Sequence, residues 1–211
     1  LIIKWNNSQI TKRNNQMISF IDLAPTVLDI CNENISESIE GSSFYNKKGR
    51  DYIYAATDRF DEFTDKRRCI RSNQFKLILN GDTNSSIMKP VSYRQNMRTM
   101  KVLDSLNDIN QLNKAMINWY KNSKSKYELY NVINDPYELN NLYKNKDYDN
   151  VFNDLKKKLN YWIDDSDYGN KEEADLIKEI WPNGKKPELK DPNIIKKGKG
   201  FKIISNNDNS S

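Results

Sequence analysis

Residues 51–80, DYIYAATDRFDEFTDKRRCIRSNQFKLILN, decide the fold of this chain. The stretch predicts three consecutive strands, with a charged loop between the first and the second. Asp51 to Thr57 carries apolar side chains in both alternating sets of positions, which predicts a strand that is buried on both faces. Arg67 to Arg71 and Phe75 to Asn80 are separated by three polar residues, Ser72-Asn73-Gln74, and this spacing predicts a hairpin.

The predicted loop groups four charges around one aromatic ring, in the order Asp58, Arg59, Phe60, Asp61 and Glu62. Loops at strand ends are common positions for binding residues, because the strands hold them in place. A solvated turn at the protein surface would have a similar composition. The residues themselves leave both interpretations open, a binding loop and an ordinary polar turn.

The flanking sequence predicts the elements that surround these strands. Leu1 to Trp5 is typical of a strand, and Asp22 is a typical cap for a helix over Leu23 to Cys31. Apolar residues between positions 97 and 120 recur at helical spacing and predict two helices. Tyr127 to Val132 predicts a fourth strand.

A long amphipathic helix is predicted after the fourth strand. Apolar residues mark one face from Tyr148 to Trp162. Such a helix is the natural cover for a small antiparallel sheet built from about four strands. The predicted fold class is therefore α+β.

The composition excludes several kinds of active site. The 211 residues contain no histidine and two cysteines, Cys31 and Cys69. A Ser-His-Asp triad, a Cys-His pair and a histidine or multi-cysteine metal site therefore cannot be built from this chain. Cys31 lies in an apolar helical run and Cys69 in a predicted strand, and both positions predict buried thiols. No apolar run approaches the roughly 20 residues that span a bilayer, so no membrane span is predicted.

A net charge of +5 and a lysine-rich segment at 185–202 would attract a polyanion. Acidic residues are spread among the bases, and no stripe of basic and aromatic residues suits stacking on nucleic-acid bases. Nucleic acid is therefore not expected as a partner. A non-catalytic polyanion-binding module stays open as one function, and a solvated tail is the simpler interpretation of the segment.

Four blocks of the sequence carry a family resemblance, namely DLAPT at 22–26, AATDRFDE at 55–62, RCIR with FK at 68–76, and ELY with NDPYELNNL at 128–142. In this order they resemble blocks of the type I sulfatases of the alkaline phosphatase-like superfamily. The resemblance extends over roughly residues 1–165 and is nearest to the branch of heparan N-sulfatase (sulfamidase) and bacterial polysaccharide sulfatases. Phe60 departs from the pattern, because relatives often carry histidine or methionine at that place.

This resemblance implies a division of the chain into three parts. Residues 1–32 would be the last strand and helix of an upstream α/β catalytic domain, and residues 33–165 the C-terminal sulfatase subdomain. Residues 166–211 would form an extension or linker toward a further domain. Enzymes of this family use a formylglycine nucleophile and calcium. Neither cysteine lies in a Cys/Ser-x-Pro-x-Arg motif, so no catalytic residue and no calcium ligand is expected in this chain.

The resemblance implies that the parent protein hydrolyses sulfate esters, or N-sulfate, of a sulfated carbohydrate. This chain alone would be inactive and would contribute a wall of the substrate pocket. The implied partners are the sulfated glycan and the upstream catalytic domain, and the implied location is the periplasm or the exterior of the cell. A phosphodiesterase or phosphonate hydrolase of the same superfamily is the alternative within this scaffold.

With the resemblance in view, the loop is expected to touch the substrate. Asp61 and Glu62 would accept hydrogen bonds from sugar hydroxyls, and Arg59 would offer a planar fork to a sulfate or carboxylate. Asp58 and Arg59 have a second interpretation, in which they pair with each other or with the catalytic domain. Arg68 is expected to make a structural ion pair.

Overall fold

The computed structural model describes residues 15–45, 49–166, 194–197 and 200–203. The chain divides into two compact units, Leu1–Trp162 and Ile163–Ser211. The predicted strand at Leu1 to Trp5 lies outside the described residues, and so does most of the lysine-rich segment. The predicted division at residues 32 and 165 stays a prediction.

A four-stranded antiparallel sheet forms the centre of the first unit, with its strands in the order β1-β2-β3-β4. The predicted hairpin between the second and third strands is confirmed, since Ser72 N donates to Phe75 O at 2.8 Å. The predicted fourth strand is also confirmed. The strands are β1 (Ile53–Phe60), β2 (Phe63–Arg71), β3 (Phe75–Asn80) and β4 (Tyr127–Asn131).

One face of this sheet is apolar and lies under the long helix α5 (Asp149–Ser166). Ile70, Leu77 and Leu129 share this face by strand register and are fully buried. Helix α5 contacts the same face at both of its edges, where Trp162 stacks on Tyr54 and Phe152 meets Tyr127. Burying each such leucine or isoleucine stabilises the fold by about 1.5–3 kcal/mol. The predicted α+β architecture, a small sheet covered by a long helix, is confirmed.

The opposite face carries more polar side chains, and some of them are buried. Glu128 accepts hydrogen bonds from Asn80 Nδ2 at 2.6 Å and from the Tyr130 hydroxyl at 2.8 Å. Asn80 Nδ2 also donates to the Ser125 carbonyl at 2.7 Å. A carboxylate removed from water requires such donors, so this network offsets the cost of burying Glu128.

The prediction that the first strand is buried on both faces is wrong. Residues 55–60 are exposed, because β1 is an edge strand of the sheet that the structure describes, where it pairs with β2 on one side only. Helix α5 reaches β1 at Tyr54, near its beginning, and the apolar residues beyond it stay uncovered within the described part of the chain. Strand β1 also runs to Phe60, so the predicted five-residue charged loop is a strand end followed by the two-residue turn Asp61-Glu62.

Three short helices connect β3 to β4. They are α2 (Ser92–Gln95), α3 (Arg98–Asp108) and α4 (Lys114–Tyr120). The latter two confirm the predicted pair, whereas α2 was not predicted because four residues carry no helical periodicity. No helix in the described ranges is both long and apolar enough to cross a bilayer.

The two cysteines differ in their surroundings. Cys69 is half-buried, and burial raises the pKa of its thiol to about 11, so the thiol is protonated at neutral pH. Cys31 is exposed, which makes the prediction of a buried thiol wrong there. The reason is that the first helix, α1 (Leu23–Ile30), ends one residue earlier and leaves Cys31 past its last turn.

In the second unit, strands β5 (Ile194–Lys197) and β6 (Gly200–Ile203) pair antiparallel. This hairpin was not predicted, because lysines and glycines dominate the segment. A solvated tail is therefore an incomplete description of the lysine-rich segment.

Candidate functional site

The predicted site residues lie at the tip of the β1–β2 hairpin. The last paired residues are Phe60 and Phe63, so Asp61 and Glu62 alone form the connection. Asp61 has a left-handed backbone, with φ of 52°, a conformation that aspartate adopts more readily than most residues. A two-residue turn held by paired strands gives both side chains a defined position.

Glu62 fastens this tip to helix α2. Its Oε1 atom accepts hydrogen bonds from Ser92 N at 2.7 Å and from Ser92 Oγ at 2.5 Å. The hydrogen bonds from the Ser92 side chain and backbone lower the pKa of the Glu62 carboxyl below its ordinary range. Glu62 is thus charged at neutral pH, and its side chain is engaged with Ser92.

Arg59 stabilises the turn itself. Its Nε donates to the Asp61 carbonyl at 3.1 Å and its Nη2 to the Glu62 carbonyl at 3.0 Å. These bonds direct part of the guanidinium toward backbone oxygens of the same turn. An incoming anion would therefore meet an arginine whose orientation is already defined.

Asp58 pairs across the sheet with Arg68. The predicted partners of Asp58 were Arg59 and the catalytic domain, and Arg68 is neither of these. Arg68 Nη2 lies 2.8 Å from Asp58 Oδ1, and Arg68 Nη1 donates to the Thr57 carbonyl at 3.0 Å. A shift of register between Thr57 and Arg59 produces a bulge that brings Asp58 to this position. Arg68 is almost fully buried, which confirms the prediction of a structural ion pair.

The structure adds residues of α2 that the sequence did not indicate. Arg94 Cζ lies 5.5 Å from the centroid of the Phe60 ring, a cation–π distance. Tyr93, next to Arg94, is 59% exposed, and Phe60 is 39% exposed. We call Arg59–Glu62 together with Ser92–Arg94 the hairpin-tip cluster. No local sequence pattern could have indicated that α2 contacts the hairpin tip, because its residues come about 30 positions after the turn.

The fourth sequence block, at residues 128–142, supports the sheet. Its ion pair with Lys76 and the hydrogen bonds of Asp135 are made with the sheet and within its own turn, and not with the hairpin-tip cluster. Lys76 Nζ contacts both Glu138 carboxylate oxygens, at 2.7 and 2.8 Å. Asp135 accepts from the backbone N–H groups of Leu139 and Asn140 at 3.1 and 2.8 Å. These bonds shape the turn after β4 and explain its Asp-Pro-Tyr-Glu sequence in structural terms.

The carboxylates of the hairpin tip do not fit a metal ion. Asp58 is paired with Arg68 and Glu62 with Ser92, so their oxygens do not converge on one point. In the part of the chain that the structure describes, no group of three or more His, Cys, Asp or Glu side chains could hold a metal. What the cluster can do is accept hydrogen bonds, pair with an anion and stack on a sugar ring.

No protein-family model matches this chain. Among solved structures, a 2-O GAG sulfatase matches 72% of this chain and 26% of its own, with 18% sequence identity and a TM-score of 0.46. A protein in complex with its substrate D-glucosamine-2-N,6-O-disulfate matches 72% and 25%, with 20% identity and a TM-score of 0.45.

Two curated proteins are similar in sequence, and both are ulvan-active sulfatases of Formosa agariphila. One is 36% identical over 201 residues, which cover 92% of this chain and 34% of the relative. The other is 28% identical over 165 residues, covering 71% and 29%. The chain spans about a third of the length of these relatives. The resemblance to sulfatases that the sequence blocks predicted is therefore confirmed, and over most of its length this chain is similar to a segment of that family's members.

Proposed function

We propose that this chain is the C-terminal part of a sulfatase that hydrolyses sulfate esters, or N-sulfate, of a sulfated carbohydrate. The observation that carries the proposal is the 36% identity to an ulvan-active sulfatase over 92% of the chain. Since both curated relatives are active on ulvan, ulvan or a similar sulfated polysaccharide is the proposed substrate.

In this proposal the hairpin-tip cluster forms a wall of the substrate pocket. Asp61 is exposed and is not fastened to α2 as Glu62 is, so its carboxylate is the one best placed to accept hydrogen bonds from sugar hydroxyls. Arg59 would add a charged donor beside it. Such contacts orient a substrate, and orientation lowers the barrier of a reaction carried out by other groups.

The nucleophile and the calcium would belong to the remainder of the parent enzyme. Asp58 is engaged with Arg68 and Glu62 with Ser92, which supports placing the metal outside this chain. The proposed partners are accordingly the sulfated glycan and the catalytic domain of the same protein. A periplasmic or secreted location is proposed with them.

Activity measurements test this proposal. We expect residues 1–211 alone to release no sulfate from ulvan, and the longer protein that joins this chain to its catalytic domain to release it in the presence of calcium. Sulfate release is measured by ion chromatography, with a phosphodiester substrate assayed in parallel.

Three outcomes would contradict the proposal. Turnover by residues 1–211 alone would mean that the reaction centre lies in this chain. Hydrolysis of the phosphodiester in place of the sulfate ester would favour the phosphodiesterase alternative. Binding of ulvan without hydrolysis by the longer protein would favour a polyanion-binding module.

A further inference from the structure

Arg94 differs from the other arginines near the hairpin tip in what it contacts. Arg59 bonds to turn carbonyls, and Arg68 bonds to Asp58. Arg94 instead lies over the Phe60 ring, and no hydrogen bond or ion pair joins its guanidinium to the residues that the structure describes. Its N–H donors are therefore available for an acceptor from outside this part of the chain.

The position of Arg94 is well defined despite its location in a four-residue helix. Val91, the residue before α2, is fully buried, and its carbonyl accepts from Arg94 N at 3.0 Å. Ser92 is held by the Glu62 carboxylate, which joins α2 to the β1–β2 hairpin. A charged side chain that is held in place loses less conformational entropy when a ligand binds.

The surroundings of Arg94 fit a carbohydrate that carries an anionic group. Phe60 and Tyr93 are both substantially exposed and offer aromatic surfaces to a sugar ring. A guanidinium next to them can donate two parallel hydrogen bonds to a sulfate or a carboxylate, which have matching oxygen spacings. Aromatic surface and unpaired cation together favour an acidic sugar over a neutral one.

We propose that Arg94, held over Phe60 and fastened through the Glu62–Ser92 bonds, binds an anionic substituent of the carbohydrate. In this view Glu62 is a positioning residue that acts through α2, and it is not itself the main contact with sugar hydroxyls. The inference rests on the proposed function, since it assigns one contact of the proposed substrate pocket. The anionic group is a sulfate or a carboxylate, and the choice of probe distinguishes them.

Binding by the 211-residue chain tests the contact directly. We expect Arg94→Gln to weaken binding of a dextran sulfate oligosaccharide about 10- to 100-fold, the effect of losing charged hydrogen bonds, as measured by calorimetry. Arg98→Gln is the matched control, because Arg98 is exposed, lies four residues away and removes the same charge. We expect it to change affinity less than about twofold. Arg94→Lys, which keeps the charge and loses the planar fork, should fall between the two.

A second probe identifies the anion. Polygalacturonate carries carboxylates and no sulfate, so a site for sulfate should bind it weakly and with little change in Arg94→Gln. If Arg94→Gln weakens the binding of both probes equally, Arg94 binds sulfated and carboxylated sugars alike. Near-ultraviolet and far-ultraviolet circular dichroism of each variant confirms that the fold is retained.

A double-mutant cycle tests the role of Glu62. If Glu62 acts by positioning Arg94, Glu62→Ala should weaken dextran sulfate binding in the wild-type background and have little effect in the Arg94→Gln background. Ser92→Ala should show the same dependence on Arg94, to a smaller extent, because Ser92 N still donates to Glu62. If Glu62→Ala weakens dextran sulfate binding by the same factor in both backgrounds, Glu62 contacts the ligand itself. That result would overturn the positioning role.

The inference and the proposed function fail in different ways. Equal affinities of Arg94→Gln and Arg98→Gln, or no measurable binding by the wild-type chain, would overturn the Arg94 contact even where the longer protein releases sulfate. Loss of binding in Arg94→Gln alone, combined with a longer protein that hydrolyses no sulfate ester, would overturn the proposed enzyme and leave the anion contact in place.

Discussion

Asp65→Ala is expected to lower the free energy of unfolding by about 3–5 kcal/mol, the usual cost of breaking a buried ion pair by removing one partner. The side chain of Lys124 is completely buried, and its Nζ lies 2.5 Å from Asp65 Oδ1. Arg67 Nη2 donates to the other oxygen at 2.6 Å. Without the carboxylate, the Lys124 ammonium would be left in a site with no access to water. Urea unfolding at neutral pH, followed by circular dichroism, measures the loss.

Two further variants separate this effect from a general cost of mutation. Asp65→Ala combined with Lys124→Met removes both charges and should recover much of the lost stability, because an apolar pair of similar volume often replaces a buried ion pair without loss. Asp154→Ala breaks the exposed pair with Lys158 and should be nearly neutral, since exposed pairs contribute little. A double variant that is no more stable than Asp65→Ala would show that the ion pair is not the cause.

The same pair predicts a pH dependence with a definite sign. Burial alone would raise the pKa of Asp65, but hydrogen bonds from Lys124 and Arg67 hold it below the ordinary value of 3.8. A carboxyl whose pKa is lower in the folded state contributes its full stabilisation above the unfolded pKa. That contribution is lost as the pH falls below 3.8 and through the lowered folded pKa. Asp65→Ala should therefore lose less stability than the wild type upon acidification in this range.

Asp22→Ala is expected to have an effect of similar size, about 3–5 kcal/mol, on the part of the chain around α1. The Asp22 carboxylate is almost fully buried and accepts three hydrogen bonds from Arg50, one from Nη2 at 2.5 Å and two from Nε at 2.8 and 3.0 Å. The backbone N–H groups of Ser19 and Ser42 each donate to it at 2.9 Å. Removal of the carboxylate would leave all of these donors without their acceptor.

Thermal unfolding and limited proteolysis check this prediction together. Loss of the Asp22 bonds should lower the melting temperature and make the chain between Gly41 and Arg50 a preferred cleavage site, because those bonds join this segment to α1. Glu33→Ala is the control, since Glu33 is an exposed carboxylate close to the same helix. Equal protease sensitivity of the two variants would refute the structural role of Asp22. Asp22→Asn, which keeps the shape and part of the hydrogen bonding, should lose less stability than Asp22→Ala.

Asp22 also shows where local sequence patterns mislead. An aspartate before an apolar helical run is a typical N-cap, and that was the prediction. The structure places Asp22 before α1, but its side chain makes no capping bond to that helix. It bonds instead to residues 20 and 28 positions later, Ser42 and Arg50. Gly41 makes this approach possible, because a Cβ atom there would lie 1.8 Å from the Ile21 carbonyl oxygen.

The sequence by itself determined the elements whose signal is local. The β2–β3 hairpin, the fourth strand and helix α5 were all predictable, because each buries apolar residues at the period of its own secondary structure. The absence of histidine, a property of composition, excluded whole classes of reaction centre. The order of the four sulfatase-like blocks identified the relatives, since several spaced motifs together are far more specific than one.

Only the tertiary structure decided the exposure of β1 and the partners of its charged residues. Whether an apolar strand is central or at an edge depends on how many strands pair with it, and among the described residues β1 pairs with β2 alone. The bonds of Glu62 to Ser92 and the contact of Arg94 with Phe60 each join residues at least 30 positions apart. No periodicity spans such a distance, because the partners are brought together by the packing of the intervening chain.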